Sequence, residues 1–163
     1  MATRTWLFAL TFATVTSLVF GADASSTVAT SISMAAPQSN QTKENIMKIL
    51  ITVDGKSIRA TLADNASTRD FVELLPLTVT LEDYSRTEKI YYLPKKLSIK
   101  GAPSGMAPAI GDITYYAPWG NLAIFYKDFG YSSGLIKLGR IDFGVEVLNV
   151  SGPLKARIEL IQD

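Results

Sequence analysis

The sequence predicts a mainly β fold, a closed barrel of about eight short strands with one short α-helix. Three observations point to it. Short runs of alternating apolar and polar residues recur from Lys48 to Leu160, broken by Gly, Pro, Asp and Asn; a period of two marks strands with one buried face. A single segment, after Asn65, places apolar residues at helical spacing. Cys is absent, so a packed core must supply the stability that disulfides give many exported domains.

Residues 1–24 read as a secretory signal and not as part of the fold. Arg4 supplies a positive start, Trp6 to Phe20 is apolar and uncharged, and Ala22-Asp23-Ala24 fits the small-x-small cleavage pattern, leaving Ser25 first. The apolar run is about fifteen residues, short of the roughly twenty that span a bilayer. An uncleaved anchor is the alternative; no later segment approaches membrane length, so no span is expected after cleavage. Residues 25–46 are rich in Ser, Thr, Ala, Gln and Asn without a sustained period. Such a stretch buries too little apolar surface to offset its ordering entropy and reads as a disordered polar tether. The folded domain is then 47–163, in a secreted or periplasmic protein. Asn40, Asn65 and Asn149 each open a glycosylation triplet, relevant only in a host that glycosylates.

The domain opens with a hairpin. Ile49, Ile51 and Val53 alternate with polar or outward positions, Asp54-Gly55 turns the chain, and Ile58, Ala60 and Leu62 resume the alternation. Asp and Gly tolerate the positive φ of a type I′ turn. Ser67 with Asp70 three residues on suggests a variant capping box for a helix over 68–75. Phe71, Leu74 and Leu75 form its apolar stripe and Pro76 stops it. Strands follow around Leu77–Leu81 and over 89–93. Residues 95–110 form a long Gly- and Pro-containing loop. Further strands are predicted over 113–116, 121–126, 135–141 and 145–150. Leu154, Ala156, Ile158 and Leu160 face inward in the last strand, with Lys155, Arg157 and Glu159 outward.

Composition excludes several chemistries. Sixteen Lys+Arg against fifteen Asp+Glu give a net charge of +1, without the basic footprint of a nucleic-acid binder. His and Cys are both absent. Ser-His and Cys-His nucleophile pairs are therefore impossible, as is a zinc site of thiolates or imidazoles. No metal, cofactor or catalytic residue is expected. Glu82 and Asp83 are adjacent, so a strand sends them to opposite faces and they cannot act as a pair. Asp112, Asp128 and Asp142 flank turns and read as turn-holding carboxylates. Gly130–Gly134 reads as a turn, and Lys95-Lys96 as a solvated edge. Arg86 falls in a polar bend; Arg140 lies within an apolar strand and points either into the barrel mouth or out to water.

The most informative stretch is 115–131, where Tyr115, Tyr116, Trp119, Phe125, Tyr126, Phe129 and Tyr131 crowd together. Phe125 and Tyr126 read as core, in a strand apolar on both faces, buried by the barrel interior on one side and by a helix or loop on the other. Trp119 sits between Pro118 and Gly120 in a predicted tight turn, where burying so large a ring is difficult. Exposed aromatics mark binding patches. Either Trp119, Phe129 and Tyr131 cluster as a ligand surface, or the loops fold back and pack Trp119 as a lid.

Gly111-Asp112-Ile113, then Tyr115-Tyr116-x-Pro118-Trp119-Gly120-Asn121-Leu122-Ala123-Ile124-Phe125-Tyr126, then Gly134-Leu135-Ile136-x-Leu138-Gly139-Arg140-Ile141, resemble the small bacterial cyclophilin-like fold proteins. The resemblance spans nearly all of 47–163. It implies a cyclophilin-like barrel but not isomerase activity: the isomerase pocket of true cyclophilins sets an Arg beside Phe, Gln, Trp and His, a set that does not map residue by residue onto this chain, and His is absent. The leading expectation is a non-catalytic binding module holding a small molecule or peptide in an aromatic cleft at one barrel end. Tyr116, Trp119, Phe129 and Tyr131 would stack, and Arg140 or Arg86 would be the polar handle. The alternative is a divergent peptidyl-prolyl cis-trans isomerase using an Arg and an apolar pocket without His. A third reading, a hydrolase, needs two carboxylates converging in a cleft. Oligomeric state leaves no mark in the sequence.

Overall fold

The opening hairpin sets the register of the barrel. In the computed structural model, which describes residues 46–162, β1 (Lys48–Val53) and β2 (Lys56–Leu62) pair antiparallel. Asp54 and Gly55 both take positive φ, 47° and 77°, as a type I′ turn requires. The expected signal (1–24) and the tether up to residue 45 lie outside the described residues. No helix among the described residues is long and apolar enough to cross a membrane.

A short helix, α1 (Ala66–Val72), follows, and its cap differs from the expected one. Asn65, extended at φ −151°, accepts the Thr68 amide at 2.9 Å, the N-cap role that short polar side chains fill best. The Ser67 hydroxyl instead donates to the Ser98 carbonyl at 2.5 Å, and Asp70 accepts the Ser98 amide at 2.7 Å. The two residues thus fasten the long loop to the helix. Asn65 also donates its side-chain nitrogen to the Lys137 carbonyl at 2.9 Å, so this glycosylation triplet is committed to the fold.

The remaining strands are β3 (Leu77–Tyr84), β4 (Glu88–Tyr92), β5 (Gly105–Met106), β6 (Asp112–Tyr116), β7 (Asn121–Phe125), β8 (Ser132–Ser133), β9 (Leu135–Phe143) and β10 (Leu154–Leu160). Eight of the ten strands close an antiparallel barrel in the order β1-β10-β3-β4-β7-β6-β9-β2, and β5 pairs with β8 in a separate ribbon. Ile49, Ile51, Ile58, Leu81, Ile113, Leu122, Ile124, Leu138 and Ile158 fill the interior, and Phe71 of the helix joins them.

Two expectations fail at the C-terminal end. Residues 145–148 form a 3₁₀ turn, not a strand. Gly144 enters it at φ 91°, a left-handed conformation that ends β9. The turn drops Leu148 into the core while Val145 and Val147 pack on its edge; the β-branched run mimicked a strand because three-residue turns also bring apolar residues together. Leu160, expected inside, is partly exposed at the end of β10, where the barrel wall runs out.

Candidate functional site

Register decides which side chains share the outer wall. Glu88, Ile90 and Tyr92 of β4 sit opposite Phe125, Ala123 and Asn121 of β7. Thr114 and Tyr116 of β6 sit opposite Ala123 and Asn121. Leu135 of β9 faces Tyr116, and Tyr84 of β3 faces Glu88. With a period of two, these side chains all leave the barrel on one side. Their neighbours Tyr115, Leu122 and Ile124 turn inward to the core.

The outer wall therefore has a small apolar cluster of its own, Ile90, Ala123, Phe125 and Leu135, backed by Met106 and Tyr116. This explains why β7 is apolar on both faces: the barrel interior covers one, and the ribbon and loops cover much of the other. What they leave open is a cleft of about 180 Å³. Ala123, Phe125 and Leu135 line it together with Tyr84, Tyr116, Trp119, Phe129, Ser132, Glu88 and Asn121.

The turn at 117–120 presents Trp119. Gly120, at φ 76°, returns its amide to the Tyr116 carbonyl at 2.9 Å, and the Ala117 amide reaches the Gly134 carbonyl at 3.0 Å. Trp119 stays 47% exposed. It stands nearly perpendicular to Tyr84 (centroids 5.6 Å, 86°) and to Tyr116 (5.3 Å, 79°), the edge-to-face geometry aromatic pairs favour. Phe129, also half exposed, tilts over Phe125 at 6.2 Å.

Two polar groups complete the lining. Burial among these rings pushes the Glu88 carboxyl up to about 7, because low-dielectric surroundings disfavour its charged form. Asn121 is 2% exposed; its amide nitrogen donates to the Leu122 carbonyl at 3.1 Å, and its Oδ1 has no hydrogen-bond partner among the described residues.

Of the residues singled out from sequence, Tyr116, Trp119 and Phe129 meet here. Tyr131, 63% exposed, bonds through its hydroxyl to Ser104 Oγ at 3.1 Å and does not line the cleft. Arg140 points out to water, donating to the Ile110 carbonyl at 3.2 Å. Arg86, at φ 56° in the exposed β3–β4 turn, does not line the cleft either. The cleft itself opens on the outer wall and not at a barrel end. Tyr84, Glu88 and Asn121 escaped the sequence reading. The available signal was Asn121, a polar residue leading an otherwise apolar strand.

The other polar clusters hold structure. Asp112 accepts the Ala109 amide at 3.1 Å and Lys137 Nζ at 2.8 Å, and Asp128 accepts the Ile110 amide at 2.9 Å. Inside the barrel Tyr126 donates to Asp83 at 2.6 Å. Burial first, then the Asp83 carboxylate, pushes the Tyr126 phenol up to about 12.

The sequence model described as the cyclophilin-like family matches residues 51–159. The solution structure of a hypothetical protein from Archaeoglobus fulgidus is similar with a TM-score of 0.52 at 16% identity, over 70% of this chain and 94% of that one. At that identity the likeness is one of fold. No curated protein matches the chain.

Proposed function

We propose that this chain, which belongs to the cyclophilin-like family, is a non-catalytic binding module, secreted or periplasmic, whose outer-wall cleft holds a small molecule or one side chain of a peptide. One observation carries this reading: Trp119 and Phe129 keep about half their surface exposed around an apolar floor. Two large rings left in water beside a cleft cost hydrophobic free energy that a ligand recovers on covering them. The cleft's volume, about 180 Å³, suits one ring or headgroup. Drug-sized ligands need pockets of roughly 300–1,000 Å³.

Catalysis finds less support. Among the described residues lining the cleft, Glu88 is the single carboxylate, whereas glycoside hydrolysis needs two. Prolyl isomerisation with an Arg donor needs the guanidinium beside the apolar pocket, and neither Arg86 nor Arg140 lines it.

Trp119 fluorescence tests the reading. Trp6 is the only other tryptophan, so the full chain carrying Trp6→Phe has one reporter. Its emission is expected to be red-shifted and to move when a small aromatic ligand is added. A blue-shifted band that no ligand moves would overturn the binding reading.

A further inference from the structure

Resting on that reading, we propose that the cleft selects a protonated amine, an alkylammonium group on a small apolar body, over neutral and anionic ligands of the same shape. The sequence pointed to Arg86 or Arg140 as the polar handle, which would favour an acceptor or an anion. The structure places neither at the cleft and substitutes a lining of opposite preference.

Four features support the inference. First, no Lys or Arg is among the described residues that line the cleft, and its one ionisable acid is Glu88. Second, Asn121 Oδ1 is an unpartnered acceptor in a residue that is almost fully buried. Its assignment as oxygen follows from the other side-chain atom, which lies 3.1 Å from the Leu122 carbonyl and must be the donor. A buried acceptor without a partner is costly; this one is sealed within the wall, so a ligand pairs with it only by shifting the lining and by bringing an N–H or O–H. An anion brings neither and meets a carboxyl as well.

Third, the rings form walls and not a stack. Trp119 meets Tyr84 at 86° and Tyr116 at 79°, so rings of different orientation border one small space. Ring faces carry partial negative charge and attract cations, most strongly at Trp and Tyr. Fourth, the volume, about 180 Å³, is close to the ~150 Å³ cavity that accommodates a benzene ring. The space suits a single ring with an ammonium.

The test uses benzylammonium, benzyl alcohol and benzoate, which share a ring and differ in charge, titrated against the full-length Trp6→Phe protein with Trp119 emission as the readout. At about pH 8, where a carboxyl titrating near 7 is mostly ionised, benzylammonium is expected to bind about tenfold more tightly than benzyl alcohol, and benzoate most weakly. Glu88→Gln is expected to bring benzylammonium to within about twofold of benzyl alcohol while benzyl alcohol itself still binds. Equal binding of all three, or a preference for benzoate, overturns the amine preference and leaves the binding reading standing. If none of the three moves the emission, both fall together.

Discussion

Lys89 and Asp83 form an ion pair inside the barrel, with Nζ 3.0 Å from Oδ1 and the lysine side chain at 0% exposure. The same ammonium donates to the carbonyls of Val150 at 2.6 Å and Gly152 at 2.8 Å. It thereby ties the loop before β10 to β3 and β4. A buried charge persists only when paired and hydrogen-bonded. Lys89→Met keeps the bulk but strands a carboxylate and two carbonyls. The expected loss is about 3–5 kcal/mol of unfolding free energy, read from urea denaturation. A loss below about 1 kcal/mol would mean that packing alone holds the loop.

Glu88 and Asp83 give opposite pH dependences. Burial raises the Glu88 carboxyl from 4.5 to about 7, so the folded state holds that proton more tightly than the unfolded state. Its contribution is fully present below pH 4.5 and is lost as pH rises through about 7. Asp83 is held below its ordinary 3.8, first by the Tyr126 hydroxyl. Its contribution is present above 3.8 and lost as acid carries the pH through that lowered value. Glu88 is faced by Tyr84 from β3 and Phe125 from β7, with Tyr116 of β6 lining the same cleft, and it acts electrostatically on Tyr126, which Arg86 and Asp83 also influence. The Tm is therefore expected to fall between pH 4.5 and about 7, and Glu88→Gln to flatten that slope. An unchanged slope in the variant would assign it to another group.

Trp119 and Leu122 lie three positions apart and should fail differently. Trp119→Ala removes a half-exposed ring and should lower stability by about 1 kcal/mol or less while abolishing aromatic ligand binding. Leu122→Ala opens the sealed interior and should cost about 2–5 kcal/mol. Thermal melts with a ligand titration of each variant separate the two effects. Retained binding in Trp119→Ala would remove that ring from the site.

Gly139 of β9 pairs with Leu62 of β2. A Cβ there would lie 2.5 Å from the Thr61 carbonyl oxygen and 3.0 Å from Leu62 Cα, both backbone atoms that move only if the strands part. Gly139→Ala should cost about 1–3 kcal/mol or more. Gly130→Ala, which meets nothing within 4 Å, should stay within about 0.5 kcal/mol of the parent. Equal melting temperatures for the two would contradict the close packing at this junction.

The cis-trans rate of a proline tetrapeptide should be the same with the protein as in buffer. A clear acceleration would revive the isomerase alternative and direct attention to Arg86, at the turn between Tyr84 and Glu88.

Much of the fold was legible because its determinants are local. The Asp54-Gly55 turn, the alternation of Ile49 to Val53 and of Leu154 to Ile158, and the absence of His and Cys each act within a few residues or through composition alone. Where two local solutions compete, the sequence was ambiguous. Asn65 and Ser67 both suit an N-cap, and the demand of Ser98 for partners drew Ser67 away. The run 145–150 suits a strand, but Gly144 and the space awaiting Leu148 turned it into a 3₁₀ segment. Trp119 was recognisable as a ring in a turn. Its neighbours Tyr84 and Glu88 were not, since they come from β3 and β4 and reach the cleft only through register. Alternation determines that a strand has two faces. Which face meets the core, which neighbours share the other, and whether a carboxyl ends up among rings depend on contacts between residues far apart in sequence, and those exist only once the barrel has closed.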